Sequence, residues 1–427
     1  MFQKRAFTKK IDELKLLVKK GFFHIFGGQT IIKIIGFVSS FALIRILSKE
    51  EYGHWSYAYN IYQIILLFAA FGAPAGILQF CSRTKSYEDR LSYLKYGLNY
   101  GTKANLILAL AVLLISIFIP LSIPKSNIIL LWLSFLPLLS ITYESLTLYL
   151  RSTFRNRAFA GLAVVNSAAF LIASIIGAYA IGSIGVAVGR YCAMGISIIT
   201  GIVLIKKDIP FLLKAPKLDY KRRKEFIQFA VIAMLTNSIS SMLYKIDTFL
   251  VGTITENAEI VATYKTATLI PFNLNFIPLS IMIFAYPYFA RNQNNKLWAK
   301  QQYKKMAKIL ALFNAIISII LIAFAPWIIR ILFGDQYTDS VLPFQILSFG
   351  YFIAGTFRIP AGNTLVALGK IKINLINSLI SGTANIILDI ILIIKYGAVG
   401  AAIATVSVFI LSSLISNGYL GYYFKKN

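Results

Sequence analysis

The sequence predicts an all-α integral membrane protein with about 12 transmembrane helices. These form two parallel six-helix lobes around a central cavity, with both termini in the cytoplasm. Three observations lead there: a strongly apolar composition, a succession of bilayer-length apolar runs, and basic residues that alternate between the connecting segments. The chain of 427 residues is 58% hydrophobic and only 14% charged. Soluble domains carry about 25% charged residues, so a soluble fold would leave this chain with too much apolar surface.

A membrane-spanning helix needs about 20 apolar residues. Runs of that length lie near 25–47, 55–79, 99–120, 128–150, 158–181 and 184–205, then near 226–251, 259–290, 306–330, 342–367, 371–394 and 398–424. The run at 259–290 is long and holds Pro271, Pro278 and Pro287. It reads as one kinked helix, because neighbouring helices can satisfy the backbone groups that a proline frees.

Lysine and arginine set the orientation. The tail before residue 24 and the segments near 80–97, 151–157, 206–224, 291–308, 370–372 and 425–426 hold 32 of them. The alternate segments hold only Arg45, Lys49, Lys125, Arg330 and Lys395. So regular an alternation fits an even number of spans and places both termini in the cytoplasm. It also accounts for most of the formal charge of +27. Nucleic acid is not an expected partner, since the basic clusters border apolar runs and leave no soluble domain to fold around DNA.

Cysteine and histidine carry little information. Cys81 and Cys192 do not read as halves of a disulfide, and His24 and His54 give no metal-ligand spacing. No cofactor is expected. The first apolar run is too long for a cleavable signal and lacks a small-residue cleavage site, so it is read as the first span. Ahead of it, "KKIDELKLLVKKGFF" spaces Ile11, Leu14, Leu17 and Val18 as a basic amphipathic helix lying on the cytoplasmic leaflet.

The basic segment 206–224 separates six runs from six, which suggests an N-terminal lobe over 1–215 and a C-terminal lobe over 216–427. The halves carry weak internal similarity. "SIGVAVG" (Ser183–Gly189) resembles "GAVGAAIA" (Gly397–Ala404), each between the fifth and sixth runs of its half. "LQFCSR" and "YPYFAR" each close a second run. Because six is even, such a repeat is parallel about an axis along the membrane normal, with a cavity between the halves.

Charges inside the spans are costly, roughly 2.5–3.5 kcal/mol each on insertion scales, and point to function. The cations are Lys33, Lys103, Arg190, Lys245, Lys265 and Arg358; the acids are Glu144, Asp247 and Asp389. Lys33 in mid-span and Arg358 in the inner half of its helix cannot easily reach an interface. Each is expected to face the cavity or a buried partner. Lys265 and Arg190, in the outer thirds of their helices, are further cavity candidates. Asp247 is a candidate to pair with a cavity cation or to bind a coupling ion, Glu144 is a candidate proton site, and Asp389 reads as structural. Most of the 24 tyrosines are expected in interfacial belts, with Tyr57, Tyr244 and Tyr264 as candidates to stack on sugars.

Four stretches resemble a known family. They are "ILSKEEYGHWSYA" (Ile46–Ala58), "KIDTFLVGTITENAEIVATYKTATLI" (Lys245–Ile270), "FGDQYTDSVLPFQILSF" (Phe333–Phe349) and the long segment Leu365–Thr405, with its Leu-Gly-Lys entry, Asn385 and Tyr-Gly-x-x-Gly-Ala-Ala exit. In this order they resemble the O-antigen or capsule repeat-unit flippases (Wzx-type). Those belong to the superfamily that includes the lipid II flippase and the multidrug and toxin extruders. The resemblance implies translocation of an undecaprenyl-pyrophosphate-linked oligosaccharide from the cytoplasmic to the outer leaflet by alternating access, in the cytoplasmic (inner) membrane of a bacterium. Polysaccharide polymerase or assembly proteins are implied partners. In such proteins helices 1, 7 and 8 flank a lateral cleft, which favours Lys33 and Lys265 as cavity residues.

A pyrophosphate calls for Lys or Arg, and the polyprenyl tail can remain among membrane lipids. Lys33, Arg358, Lys265 and Arg190 are therefore the substrate-binding candidates, and Asp247 and Glu144 the ion-coupling or ion-pair candidates, with H+ or Na+ as the ion. An anion moving outward runs down an inside-negative potential worth about 2.3 kcal/mol per charge per 100 mV, and the chain has no phosphate-binding G-x-x-x-x-G-K-[ST] loop. The alternative is an ion-coupled multidrug extruder. Its mostly cationic substrates would call for acids in the cavity, whereas here cations outnumber acids within spans. An enzyme is not expected, because the short external segments offer Asp335 and Asp339 but no partnered base.

Overall fold

The computed structural model describes residues 22–242 and 245–425, and all regular structure among them is helical. Among the described residues seven helical stretches are long and apolar enough to cross a bilayer, or eight if Ser126–Leu133 and Leu136–Ser152, bent by 46°, count as one. The expected amphipathic helix before the first span, and Tyr244, lie outside the described residues.

Two of the seven stretches are too long for one crossing. Asn156–Leu204 has 49 residues and Ile371–Lys425 has 55, which as straight helices would each exceed about 70 Å. Each instead reverses at a glycine. Gly182 has φ 61°, ψ −141°, and Gly397 has φ 54°, ψ −127°, a region closed to residues with a Cβ. Partners on the two arms then run in opposite directions. In the first hairpin Gly177 faces Gly185, Ser174 faces Gly189, and Asn166 donates to Ser197 Oγ at 3.0 Å. In the second, Leu392 faces Gly400 and Asn377 donates to Ser412 Oγ at 3.0 Å. The arms touch backbone to backbone near the turns. A Cβ on Gly185 would lie 1.8 Å from Gly177 O, and one on Gly400 2.0 Å from Leu392 O. Both turns sit at the "SIGVAVG" and "GAVGAAIA" stretches, so the internal similarity marks one backbone solution used twice.

The chain divides into two compact units. One contains residues 1–47, 61–120 and 125–241; the other contains 48–60, 121–124 and 242–427. In the first, Phe22–Ile46 and Leu136–Ser152 pack along the hairpin Asn156–Leu204. Its core is aromatic: Phe80, Tyr93 and the fully buried Phe226 stack together. The helix Tyr220–Met242 approaches over glycines, since a Cβ on Gly72 would lie 1.9 Å from Ala230 O and one on Gly76 2.6 Å from the Phe226 ring.

One break in this unit is unannounced by composition. Between Lys49–Ile65 and Ala73–Arg83 the chain leaves the helix, with Ala70 and Phe71 at φ 50° and 42°. Each such residue costs about 1–2 kcal/mol. Asn105 offsets this cost by accepting the Ala70 N–H at 2.5 Å and donating to Pro137 O at 2.6 Å. We expect Asn105→Leu to lower the thermal midpoint sharply, because it orphans two buried backbone groups at about 1–3 kcal/mol each.

In the second unit the helices Ile246–Thr255 and Val341–Ile353 pack on the hairpin Ile371–Lys425. The run 259–290 is indeed bent: Ala258–Leu274, with Pro271 inside, gives way to Phe276–Arg291 at Asn275. Between Val341–Ile353 and Ile359–Ala367 the helix widens into a π turn over Ala354–Arg358. Pro360 supplies a reason, since it has no N–H to give to the carbonyl four residues back. Asn314 steadies the wide turn, donating to Thr356 Oγ1 at 3.2 Å and accepting from Tyr351 at 2.7 Å.

Candidate functional site

The second unit holds a buried polar cluster around Asp247. This residue opens the helix Ile246–Thr255 and is 5% exposed. Its Oδ2 accepts from Tyr264 Oη at 3.0 Å and lies 2.9 Å from Thr405 Oγ1. The Thr405 hydroxyl is also 2.9 Å from Ala401 O, and its single hydrogen can serve only one of these acceptors. Asp389, completely buried, stands within hydrogen-bonding reach of Asp247 and accepts from Asn385 Nδ2 at 3.0 Å. One buried oxygen of each carboxylate, Oδ1 of Asp247 and Oδ1 of Asp389, has no hydrogen-bond partner.

Two adjoining carboxylates cannot both stay charged in an apolar interior without a proton or a cation between them. A small cavity adjoins Asp247, which lines it together with Asn385, Thr405, Phe272, Phe409 and Arg358. Its volume is about 20 Å³, and roughly 10–15 Å³ suffices for one water. The chemistry on offer is that of a site for a hard monovalent cation or a proton: the Asp247 carboxylate, the Asn385 amide and the Thr405 hydroxyl line the cavity, and Asp389 stands beside Asp247. Among the described residues no group of three or more His, Cys, Asp or Glu side chains forms a multidentate metal site.

Arg358 ends the π turn, and its guanidinium lies 5.0 Å from the Phe409 ring centre. The structure thus brings together two residues far apart in sequence, Arg358 and Asp247. It also adds three that sequence reasoning did not place there: Asp389, Thr405 and Tyr264. The missed signal was an i, i+4 pair, Asn385 and Asp389, on one helix face. Lys265, half-buried on the same helix as Tyr264, is within electrostatic range of Asp247 but does not line the small cavity. Two of the three tyrosines put forward as sugar platforms, Tyr57 and Tyr264, are closed to such a role in this structure. Tyr57 is 1% exposed, its hydroxyl 2.9 Å from Thr253 Oγ1, and Tyr264 is 1% exposed against Asp247.

The first unit holds Lys33, Glu144 and Arg190. Lys33 is exposed on Phe22–Ile46. Glu144 is half-buried on Leu136–Ser152 and forms no ion pair among the described residues. Arg190 lies on the second arm of the hairpin, with its guanidinium 3.6 Å from the Phe170 ring centre on the first. That contact is a cation–π pair, to which exposed instances contribute about 0.5–1 kcal/mol.

The helical fold has counterparts among solved structures. The lipid II flippase MurJ, in an inward closed conformation, superposes with a TM-score of 0.71 at 18% identity, covering 93% of this chain and 87% of that one. A multidrug resistance MATE family transporter of the MOP superfamily, inward-facing, gives 0.68 at 12% identity, covering 93% and 96%. The chain belongs to the polysaccharide biosynthesis protein family, whose profile matches residues 42–342.

A protein of Shigella flexneri provisionally named an O-antigen transporter is 26% identical over 228 residues, 53% of each chain. An uncharacterized membrane protein of Methanocaldococcus jannaschii, MJ1068, is 28% identical over 219 residues, 49% of this chain and 42% of that one. The chain spans about half the length of these relatives. The resemblance to Wzx-type polysaccharide flippases read from the four motifs therefore stands.

Proposed function

We propose that the protein flips an undecaprenyl-pyrophosphate-linked oligosaccharide from the cytoplasmic to the outer leaflet of a bacterial inner membrane. Twelve spans, both termini in the cytoplasm and halves over 1–215 and 216–427 belong to this reading; the two glycine hairpins support the span count. Alternating access carries the head group through a cationic cavity. Lys33, Arg358, Lys265 and Arg190 meet the pyrophosphate, and the polyprenyl chain stays in lipid. Asp247, joined by Asp389, holds H+ or Na+ as the coupling ion, and Glu144 is a second proton site. Polymerase or assembly proteins take the product onward.

What carries this reading is the meeting of opposite charges inside the second unit, with Arg358 lining the cavity of Asp247. Family membership supports a lipid-linked glycan as the anion.

The test is complementation of a flippase-null strain with a matched glycan pathway, at equal membrane expression. Wild type is expected to restore surface polysaccharide. Lys33→Ala and Arg358→Ala are expected to lower it at least about tenfold, the effect of losing one charged contact of roughly 1.5–3 kcal/mol, while Lys33→Arg retains it. Full complementation by every charge variant would make these residues structural. A wild type that restores no glycan but lowers drug accumulation would favour the extruder.

A further inference from the structure

We propose that the second unit carries a binding groove for an anionic phospholipid of the cytoplasmic leaflet, between the helices Phe276–Arg291 and Lys296–Ala323. One acyl chain lies along its apolar floor, and the phosphate meets Lys305. The cytoplasmic placement of this end comes from the flippase reading; the groove and its chemistry do not depend on that reading.

The groove follows from how the two helices pack. A short turn over 292–295 joins them, yet each leans on a different neighbour, the first on Ile359–Ala367 and the second on Val341–Ile353. The space left between them has a volume of about 350 Å³, within the roughly 300–1,000 Å³ of small-ligand sites. Its floor includes Phe289 and Leu310, both buried. Its mouth carries Ile281 and Ile309, which are 37% and 59% exposed. Both isoleucines lie in stretches long and apolar enough to span a bilayer, where exposed apolar side chains face lipid rather than water.

The lining changes character along the groove as an amphiphile does. Near the turn it offers Tyr288, Trp298 and Gln302, with Lys305 one turn deeper; the far end is Ile281, Ile309 and Leu310. Tyrosine and tryptophan are the residues of the membrane–water boundary. From Trp298 to Leu310 the helix rises about 18 Å, close to the roughly 15 Å of one leaflet's hydrocarbon. A chain from a single leaflet therefore fits the groove with its head at the turn. Lys305 is one of six basic residues from Arg291 to Lys308, and no Asp or Glu occurs between Ile260 and Gly334. Basic pockets between membrane helices take phosphate head groups, and an ammonium binds phosphate as a point charge. A zwitterionic lipid would bring a further cation into this positive field, whereas an anionic one brings none, which gives the groove its selectivity.

Trp298 makes the occupant readable, because phospholipids with brominated chains quench an indole they touch. Its ring is set against Phe289, centres 5.7 Å apart, so it reports from within the groove. The purified full-length protein is placed in nanodiscs of phosphatidylcholine containing brominated phosphatidylglycerol or, in a parallel series, brominated phosphatidylcholine. Subtracting the signal of Trp298→Phe separates this residue from the other tryptophans. Phosphatidylglycerol is expected to reach half-maximal quenching at about fivefold lower mole fraction, the preference supplied by roughly one basic residue meeting an anionic head group. Lys305→Gln should lose most of that preference and Lys305→Arg should keep it. Lys305 is exposed, so neither change disturbs the core, and equal thermal midpoints check this. Ala285→Phe, which fills the groove, should lower quenching by both lipids.

The proposal is overturned if the two lipids quench Trp298 alike, if Lys305→Gln keeps the wild-type preference, or if Ala285→Phe leaves quenching unchanged. It is also overturned if a polyprenyl diphosphate displaces the quencher at far lower mole fraction than unlabelled phosphatidylglycerol, which would assign the groove to the transported lipid. The flippase reading fails separately, by lack of complementation with any glycan pathway. Selective quenching without complementation keeps this inference and removes that reading; complementation without selective quenching does the reverse.

Discussion

Asp247→Asn is expected to reduce transport in proteoliposomes by roughly 10- to 100-fold at limiting cation, with the protein still folded. The substitution keeps the shape and the capacity to accept from Tyr264 and Thr405. It removes the charge, and contacts to charged groups contribute about 1.5–3 kcal/mol, with 1.4 kcal/mol equal to tenfold. Asp389→Asn should act in the same direction, and the double variant should be little worse than either single one, because the pair works as a unit. Transport assays with a lipid-linked glycan, paired with thermal midpoints, check this. Unchanged flux with Asp247→Asn would make the buried carboxylates structural.

The second large effect is on folding. Gly185→Ala and Gly400→Ala are expected to lower stability by about 3 kcal/mol or more, beyond the common range for overpacking. The added methyl meets backbone carbonyls at 1.8 Å and 2.0 Å, and a helix backbone cannot yield as a flexible side chain does. Two other glycines provide the control. A Cβ at Gly161 or Gly195 would meet nothing within 4 Å, and both lie in helix. Alanine there should be neutral or stabilising by up to about 1 kcal/mol. Thermal midpoints of the purified variants decide it. Equal losses at all four positions would mean that hairpin contact does not set these residues apart.

Sequence and structure agree most closely where one residue type determines the geometry. Gly182 and Gly397 mark their turns because no other residue fits the backbone there, and Pro271 lies in the bent run where a bend was expected. The break at Ala70 and Phe71 was illegible, since its support is Asn105, remote in sequence. Single costly charges were also legible: Arg358 and Asp247 stand out in any apolar helix. Their shared cavity was not, because pairing depends on helix rotation, and the π turn at Ala354–Arg358 alters that rotation. Asp389 reads as structural from sequence alone, because Asn385 one turn earlier and the carboxylate beside it come together only in the fold. Tyr57 and Tyr264 misled for a related reason: an aromatic ring has the same appearance in sequence whether it faces a sugar or a neighbouring helix.

The glycine turns at Gly182 and Gly397 also affect how the molecule can be handled. Each joins its two arms with no intervening loop, although residues beside the glycine, Tyr179 and Ile181 at one turn and Ile394 and Tyr396 at the other, are exposed. Epitope tags, protease sites or reporter fusions inserted there would have to prise apart arms that touch backbone to backbone, and would report a damaged protein. Topology mapping of this chain is better directed at segments such as Asp335–Ser340, which separates two helices and keeps its own short turn.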